Sequence, residues 1–253
     1  MKAVRFVGAR FWLLALLLAG WQILAQRRIL DPLFFPPPSA VGRTFAALLA
    51  SGELGDALRA TLTRAGLGLL AGAAAGGLVS ILLCLSTSLR TAAQPLISAM
   101  YSTPRMTLLP MVMLLFGVNE VSRMALVALS VGLVIVIQIS DAVRGVSRDY
   151  VDLATNYGAS RAVVIRKVYL PACLPQIFTA LRLSAGRALV MTISIEMLSS
   201  NDGIGSMIWS SWQNFATEKL YASVMVAAAL GLLSGPVFHF LERRFVPWRS
   251  AQA

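Results

Sequence analysis

Residues 65–89 read AGLGLLAGAAAGGLVSILLCLSTSL, a run without a single charge between Arg64 and Arg90. About 20 apolar residues rising ~1.5 Å each cross the hydrocarbon layer of a bilayer, so this run predicts a membrane-spanning helix. The same pattern recurs at residues 11–26 between Arg10 and Arg27, at 124–140 between Arg123 and Asp141, and at 220–241. Two further runs are interrupted: 91–119 holds only Arg105, and 168–195 holds only Arg182 and Arg187. Six candidate helices predict an all-α, polytopic membrane protein.

The composition agrees. Of 253 residues, 57% are hydrophobic and 13% charged, against roughly 25% charged in soluble domains, and the mean hydropathy is +0.74. A soluble enzyme is excluded. The spans leave no stretch for a separate globular domain, so residues 1–253 read as one transmembrane domain. The net charge of +11 would suggest nucleic acid in a soluble chain, but here the basic residues cluster between apolar runs, as loops facing an anionic leaflet do. Cys84 and Cys173 have neither disulfide nor metal-site spacing. The first run, behind Lys2, Arg5 and Arg10, has the outline of a signal peptide. Yet Phe11, Trp12 and Trp21 suit interfacial anchors and no small-x-small cleavage site precedes Arg27, so it reads as a span.

With both termini inside, twelve Lys and Arg residues fall on the cytoplasmic side and seven, among them Arg27, Arg28, Arg43, Arg59 and Arg64, on the outer side. The positive-inside rule favours that orientation. The outer segment 27–64 then contains the stiff run Pro36, Pro37, Pro38, followed by Ser39 as the predicted cap of an interfacial helix with Val41, Phe45, Leu48 and Leu49 on one face. In the outer segment 199–219, Asn201, Asp202, Gly203 and Gly205 predict a turn, and Trp209 and Trp212 share a helical face.

Residues 141–171 form the longest cytoplasmic loop and read as helix, hinge, helix. Tyr150, Leu153, Ala154 and Tyr157 fall at i, i+3, i+4 and i+7, an apolar stripe on a first short helix. Gly158 follows where a helix end takes a positive φ. Ser160 is placed to cap a second helix, which Pro171 is expected to end.

The loop resembles that of permease subunits of binding-protein-dependent ABC importers, whose pattern is E-A-A, three residues, G, nine residues, I, one residue, L-P. Here Asp152, Leu153 and Ala154 are followed by Gly158, then Val168, Leu170 and Pro171, with every spacing kept. Asp for Glu, Leu for Ala and Val for Ile are the departures. The runs Phe116–Glu120, Leu181–Ala188 and Glu196–Gly205 are similar to the nitrate, sulfonate and taurine permease subfamily, and the likeness covers about residues 30–245.

The resemblance implies the type I importer permease fold and a bacterial inner-membrane, multi-pass location. It implies that the first loop helix couples to a separate ATPase through Tyr150, Asp152, Leu153, Ala154, Tyr157, Gly158, Leu170 and Pro171. It further implies a second permease copy, two cytoplasmic ATPase subunits and a periplasmic or lipid-anchored substrate-binding protein. The residues fit a division of labour. A P-loop needs lysine after glycine, and Lys2, Lys167 and Lys219 follow Met, Arg and Glu. This chain is therefore expected to catalyse nothing and to hold no cofactor or metal, ATP and magnesium being bound by the partner.

An arginine at the bilayer centre costs at least ~2.5 kcal/mol, so membrane-embedded charges are functional candidates. Arg105 follows Pro104 in a span that also contains Pro110, which marks either a broken helix at the path or a structural pin. Counted from Leu174, Arg187 lies about 20 Å into the fifth span and points about 140° away from Arg182. Arg105, Arg187 and Glu196 are the candidate translocation-path residues, with internal pairing as the alternative for the charges. His239 reads as interfacial. The substrate class is a small anion such as a sulfonate, taurine or nitrate; uncharged or aromatic vitamin precursors are the alternative within the family. An ion-coupled secondary transporter would need intramembrane carboxylates beyond Glu196, and a membrane enzyme a convergent catalytic cluster that the sequence does not offer.

Overall fold

The computed structural model describes the backbone of residues 2–245, and side chains from Trp12 to Phe238 and at Phe240; His239 lies outside the described side chains. The described residues form helices and no strands. In order they are α1 (Lys2–Gln26), α2 (Pro38–Ala50), α3 (Glu53–Leu85), α4 (Thr87–Ser102), a 3-10 turn (Arg105–Leu108), α5 (Leu109–Phe116), α6 (Glu120–Arg144), α7 (Arg148–Asn156), α8 (Arg161–Val164), a π turn (Ile165–Tyr169), α9 (Leu170–Ser199), α10 (Ile204–Gln213) and α11 (Thr217–Phe245). Among them, residues 53–85, 120–144, 161–199 and 217–238 are long and apolar enough to cross a bilayer; residues 12–26 and 105–116 are shorter apolar helices. The expected span at 91–119 is thus two pieces, broken between Ser102 and Arg105 where Pro104 lacks a donor.

Two compact units divide the chain. One gathers residues up to 60 with 196–228, the other residues 61–195 with 229 onward.

In the larger unit α6 is the central rod. Residues 130–136 are buried all round, and Leu126, Val127, Val131 and Ile135 form a core with Leu109 and with Ala180, Ala188, Met191 and Ile195 of α9. The rod has a defined start: Gly117 at φ +82 turns the chain, and Asn119 and Ser122 cap each other's backbone. The approach of α3 depends on glycine. A Cβ on Gly68 would meet Val127 at 2.6 Å, on Gly72 the Ala128 carbonyl at 2.5 Å, and on Gly76 the Gly132 carbonyl at 2.6 Å. Three glycines four residues apart therefore let two backbones touch, the small-residue packing that holds membrane helices together. Arg64 of α3, though charged, is buried against Glu120 of α6.

In the smaller unit polar pairs join segments distant in sequence. The Gln22 amide donates to the Ser39 hydroxyl and accepts from the Ser39 N–H, both at 3.0 Å. Ser39 is therefore not the cap of α2. The helix begins one residue earlier on Pro38, whose ring presets φ and needs no donor, and Pro37 occupies the cap position. The Tyr221 hydroxyl donates to the Phe34 carbonyl at 3.1 Å, Trp21 packs on the Tyr221 ring, and Lys219 pairs with Glu53. The indoles of Trp209 and Trp212 sit 4.9 Å apart on α10.

Candidate coupling helix and translocation-path residues

The loop at 141–171 has the expected first helix and hinge. Ser147 caps α7 by accepting from the Asp149 N–H. Tyr150, Leu153 and Tyr157 are 63%, 57% and 86% exposed, Ala154 is half-buried and Asp152 exposed. A nine-residue helix would not hold such a stripe in water for its own stability. Gly158 has φ +76, its N–H bonds the Thr155 carbonyl, and the Ala159 N–H reaches back to Ala154. That is the left-handed cap glycine permits.

Beyond the hinge the structure departs from expectation. Ser160 stands at the cap position of α8 but its side chain makes no capping bond. Pro171 does not end a helix: α8, the π turn and α9 run on as one rod from Arg161 to Ser199. The π turn absorbs the proline, because its wider ring lets the Leu170 N–H bond the Ile165 carbonyl five residues back. Leu170 and Pro171 are exposed on this rod. The rod that follows Gly158 is thus continuous with the fifth expected span.

Two ties unseen in the sequence flank the loop. An Arg161 Nη donates to the Leu85 carbonyl at the end of α3, and Arg144 donates to Gln94 of α4 at 2.9 Å. Neither has a local pattern; only the known tendency of arginine to satisfy helix C-terminal carbonyls points to the first.

Of the three path candidates, two converge. Arg105 lies with its Cζ 5.1 Å from the centre of the Tyr101 ring, and the Arg187 guanidinium is also within reach of the Tyr101 side chain. Arg187 is exposed, whereas Arg182 is half-buried, in keeping with their different helix faces. Glu196 is elsewhere. It is 0% exposed, and its Oε2 accepts from the Gly205 N–H at 3.0 Å. Its carboxylate also lies beneath Gly203, at φ +97, where any Cβ would strike it. In this chain it pins the turn into α10 from inside and lines no open surface. A glutamate followed by Gly203 and Gly205 was the available signal for this.

A helical membrane chain with this loop has known kin. The model of the family described as "Binding-protein-dependent transport system inner membrane component" matches residues 68–250. The chain belongs to that family. This permease is 31% identical over 237 residues to a protein assigned to aliphatic sulfonate transport in Bacillus subtilis (strain 168), covering 94% of the permease and 86% of that protein. It is 31% identical over 240 residues to the taurine transport system permease protein of Escherichia coli (strain K12), covering 93% and 87%. Among solved structures, a chain of a bacterial alginate ABC transporter, in complex with an alginate pentasaccharide-bound periplasmic protein, superposes with a TM-score of 0.67 at 18% identity over 94% of the permease and 96% of that chain. The fold is that of type I importer permeases. The protein is a multi-pass membrane component of an ABC importer and not an enzyme.

Proposed function

We propose that this permease forms, with a second copy of itself, the path by which a small anion of the sulfonate or taurine kind enters the cell, driven by two separate ATPase subunits that grip α7. The observation that carries the reading is the exposed stripe of Tyr150, Leu153 and Tyr157 directly before the Gly158 hinge. Burying such a stripe in a groove of a partner is helix-in-groove recognition. The substrate class is supported by the names of the relatives and by the arginines of the membrane segments, which suit an anion through charge-assisted hydrogen bonds.

Both termini and the loop 141–171 face the cytoplasm, and six helical segments cross the membrane as one permease domain. ATP and magnesium sit on the partner subunits. When those subunits close on ATP, α7 moves, the hinge turns the motion into α9, and the path opens outward to receive solute from a substrate-binding protein. After hydrolysis the lever returns and the path opens inward.

Reconstitution tests this. The permease is co-expressed with candidate ATPases, and the complex is placed in proteoliposomes with the matching binding protein and taurine. ATP-dependent uptake supports the reading; uptake by the permease alone without nucleotide contradicts it.

A further inference from the structure

The exposed face of α9 is apolar at Leu183, Val190 and Leu198, and Arg187 stands in its midst. A guanidinium facing lipid at that depth is strongly disfavoured, so this face is turned to protein or water. Across from it, the break after α4 brings up Arg105. Its Nε is buried and has no hydrogen-bond partner, and the group leans on the ring of Tyr101. Two cations thus stand near one tyrosine, and among the described residues neither Arg105 nor Arg187 is paired with a carboxylate.

We infer that Tyr101, Arg105 and Arg187 form the subsite that takes the anionic headgroup of the transported solute, the two guanidinium groups binding its oxygens and the Tyr101 hydroxyl selecting for an acceptor between them. This rests on the reading of the chain as an importer permease. Thr103 and Pro104 are extended between α4 and the 3-10 turn, and Arg105, four residues past Tyr101, still lies over its ring. Tyr101 is 41% exposed and Arg187 is exposed as well. The chemistry recognised is a compact sulfonate or carboxylate, since two guanidinium forks satisfy up to four oxygen lone pairs in one plane each.

The test uses the whole transporter, with ATPases and binding protein, in proteoliposomes. The initial rate of ATP-driven uptake is measured for taurine, ethanesulfonate and nitrate, and for a neutral aminopyrimidine. Wild type is expected to import at least one of the anions. Arg187→Gln and Arg105→Gln are each expected to lower that uptake at least ~10-fold, the scale of one lost charge-assisted bond, while Arg187→Lys retains about a third or more. Tyr101→Phe is expected to raise the anion concentration needed for half-maximal uptake while leaving nucleotide-only hydrolysis unchanged. Because a misfolded variant would lose hydrolysis too, unchanged basal hydrolysis separates a subsite from a structural role. ATP-driven import of the neutral probe alone, or anion uptake unaltered in both arginine variants, overturns the subsite and leaves the importer reading standing. Failure of wild type to import anything with ATP overturns that reading, and the subsite with it.

Discussion

Arg64 and Glu120 meet through two parallel hydrogen bonds, Nε to Oε2 at 2.6 Å and Nη2 to Oε1 at 2.9 Å. The arginine side chain is 6% exposed and the glutamate 49%, and Glu120 also holds Arg123. The consequences of breaking the pair are therefore unequal. Glu120→Ala leaves a buried cation without its carboxylate, at a cost of about 2–3 kcal/mol, somewhat below that of a fully buried pair. Arg64→Met leaves a carboxylate that still has Arg123 and solvent, and the methionine fills the space, so less than half that loss is expected. Thermal unfolding of the detergent-solubilised permease checks this; equal losses would contradict it.

The glycines of α3 differ by face. Gly72→Ala would drive a methyl into the Ala128 carbonyl and Val131, whereas Gly77 has nothing within 4 Å of the same position. Gly72→Ala is expected to destabilise by about 1–3 kcal/mol through overpacking. Gly77→Ala should be neutral or mildly stabilising, because alanine is the better helix former. The same unfolding assay compares them.

The turn into α10 depends on the carboxylate beneath it. Glu196→Ala removes the acceptor of the buried Gly205 N–H, a loss of about 1–3 kcal/mol. Glu196→Gln keeps an oxygen there and should cost less. Gly203→Ala meets both a positive φ and the Glu196 side chain, and should lower expression in the membrane most of the three. Western quantification of membrane fractions orders them.

Much of this architecture is legible from local pattern. Charge-free runs locate the hydrocarbon crossings because a charge there is costly, and the loop's stripe and glycine are visible because a helix repeats every 3.6 residues. The ends of the helices are less legible. The run from residue 65 conceals that α3 begins at Glu53, since Arg59 and Arg64 end the charge-free stretch without ending the helix, and Arg64 is paired with Glu120, 56 positions away. Ser39 has the composition of a cap, but a proline one residue earlier takes the first turn and frees the serine for Gln22. Pro171 carries the usual signal of a helix end, and the wide turn before it accommodates the missing donor. Glu196 reads as a path residue because depth is computable from sequence, while the side to which a carboxylate turns depends on a backbone folded back upon it.

Gly158 offers a test of transmission. Nothing lies within 4 Å of a Cβ placed there, so only its φ of +76 resists substitution. Gly158→Val should meet a left-handed strain of about 1–2 kcal/mol and reset the angle between α7 and the lever, while Gly158→Asn tolerates that conformation. The valine variant should insert normally and hydrolyse ATP in the complex yet import at least ~10-fold less solute per ATP, a misalignment effect of the size small displacements produce. The asparagine variant should stay near wild type. The ratio of solute imported to phosphate released is the readout.

The central claim is that α7 is held by a separate ATPase. A photoreactive benzoylphenylalanine is placed at Leu153, and in a second preparation at Leu114, which is 87% exposed in the short apolar helix α5. Each complex is irradiated in native membranes and the adducts are identified by mass spectrometry. The account predicts an adduct between position 153 and the ATPase, and none between position 114 and that subunit. Adducts of position 153 with lipid or with the permease alone, in a complex that still hydrolyses ATP and imports its solute, would contradict it.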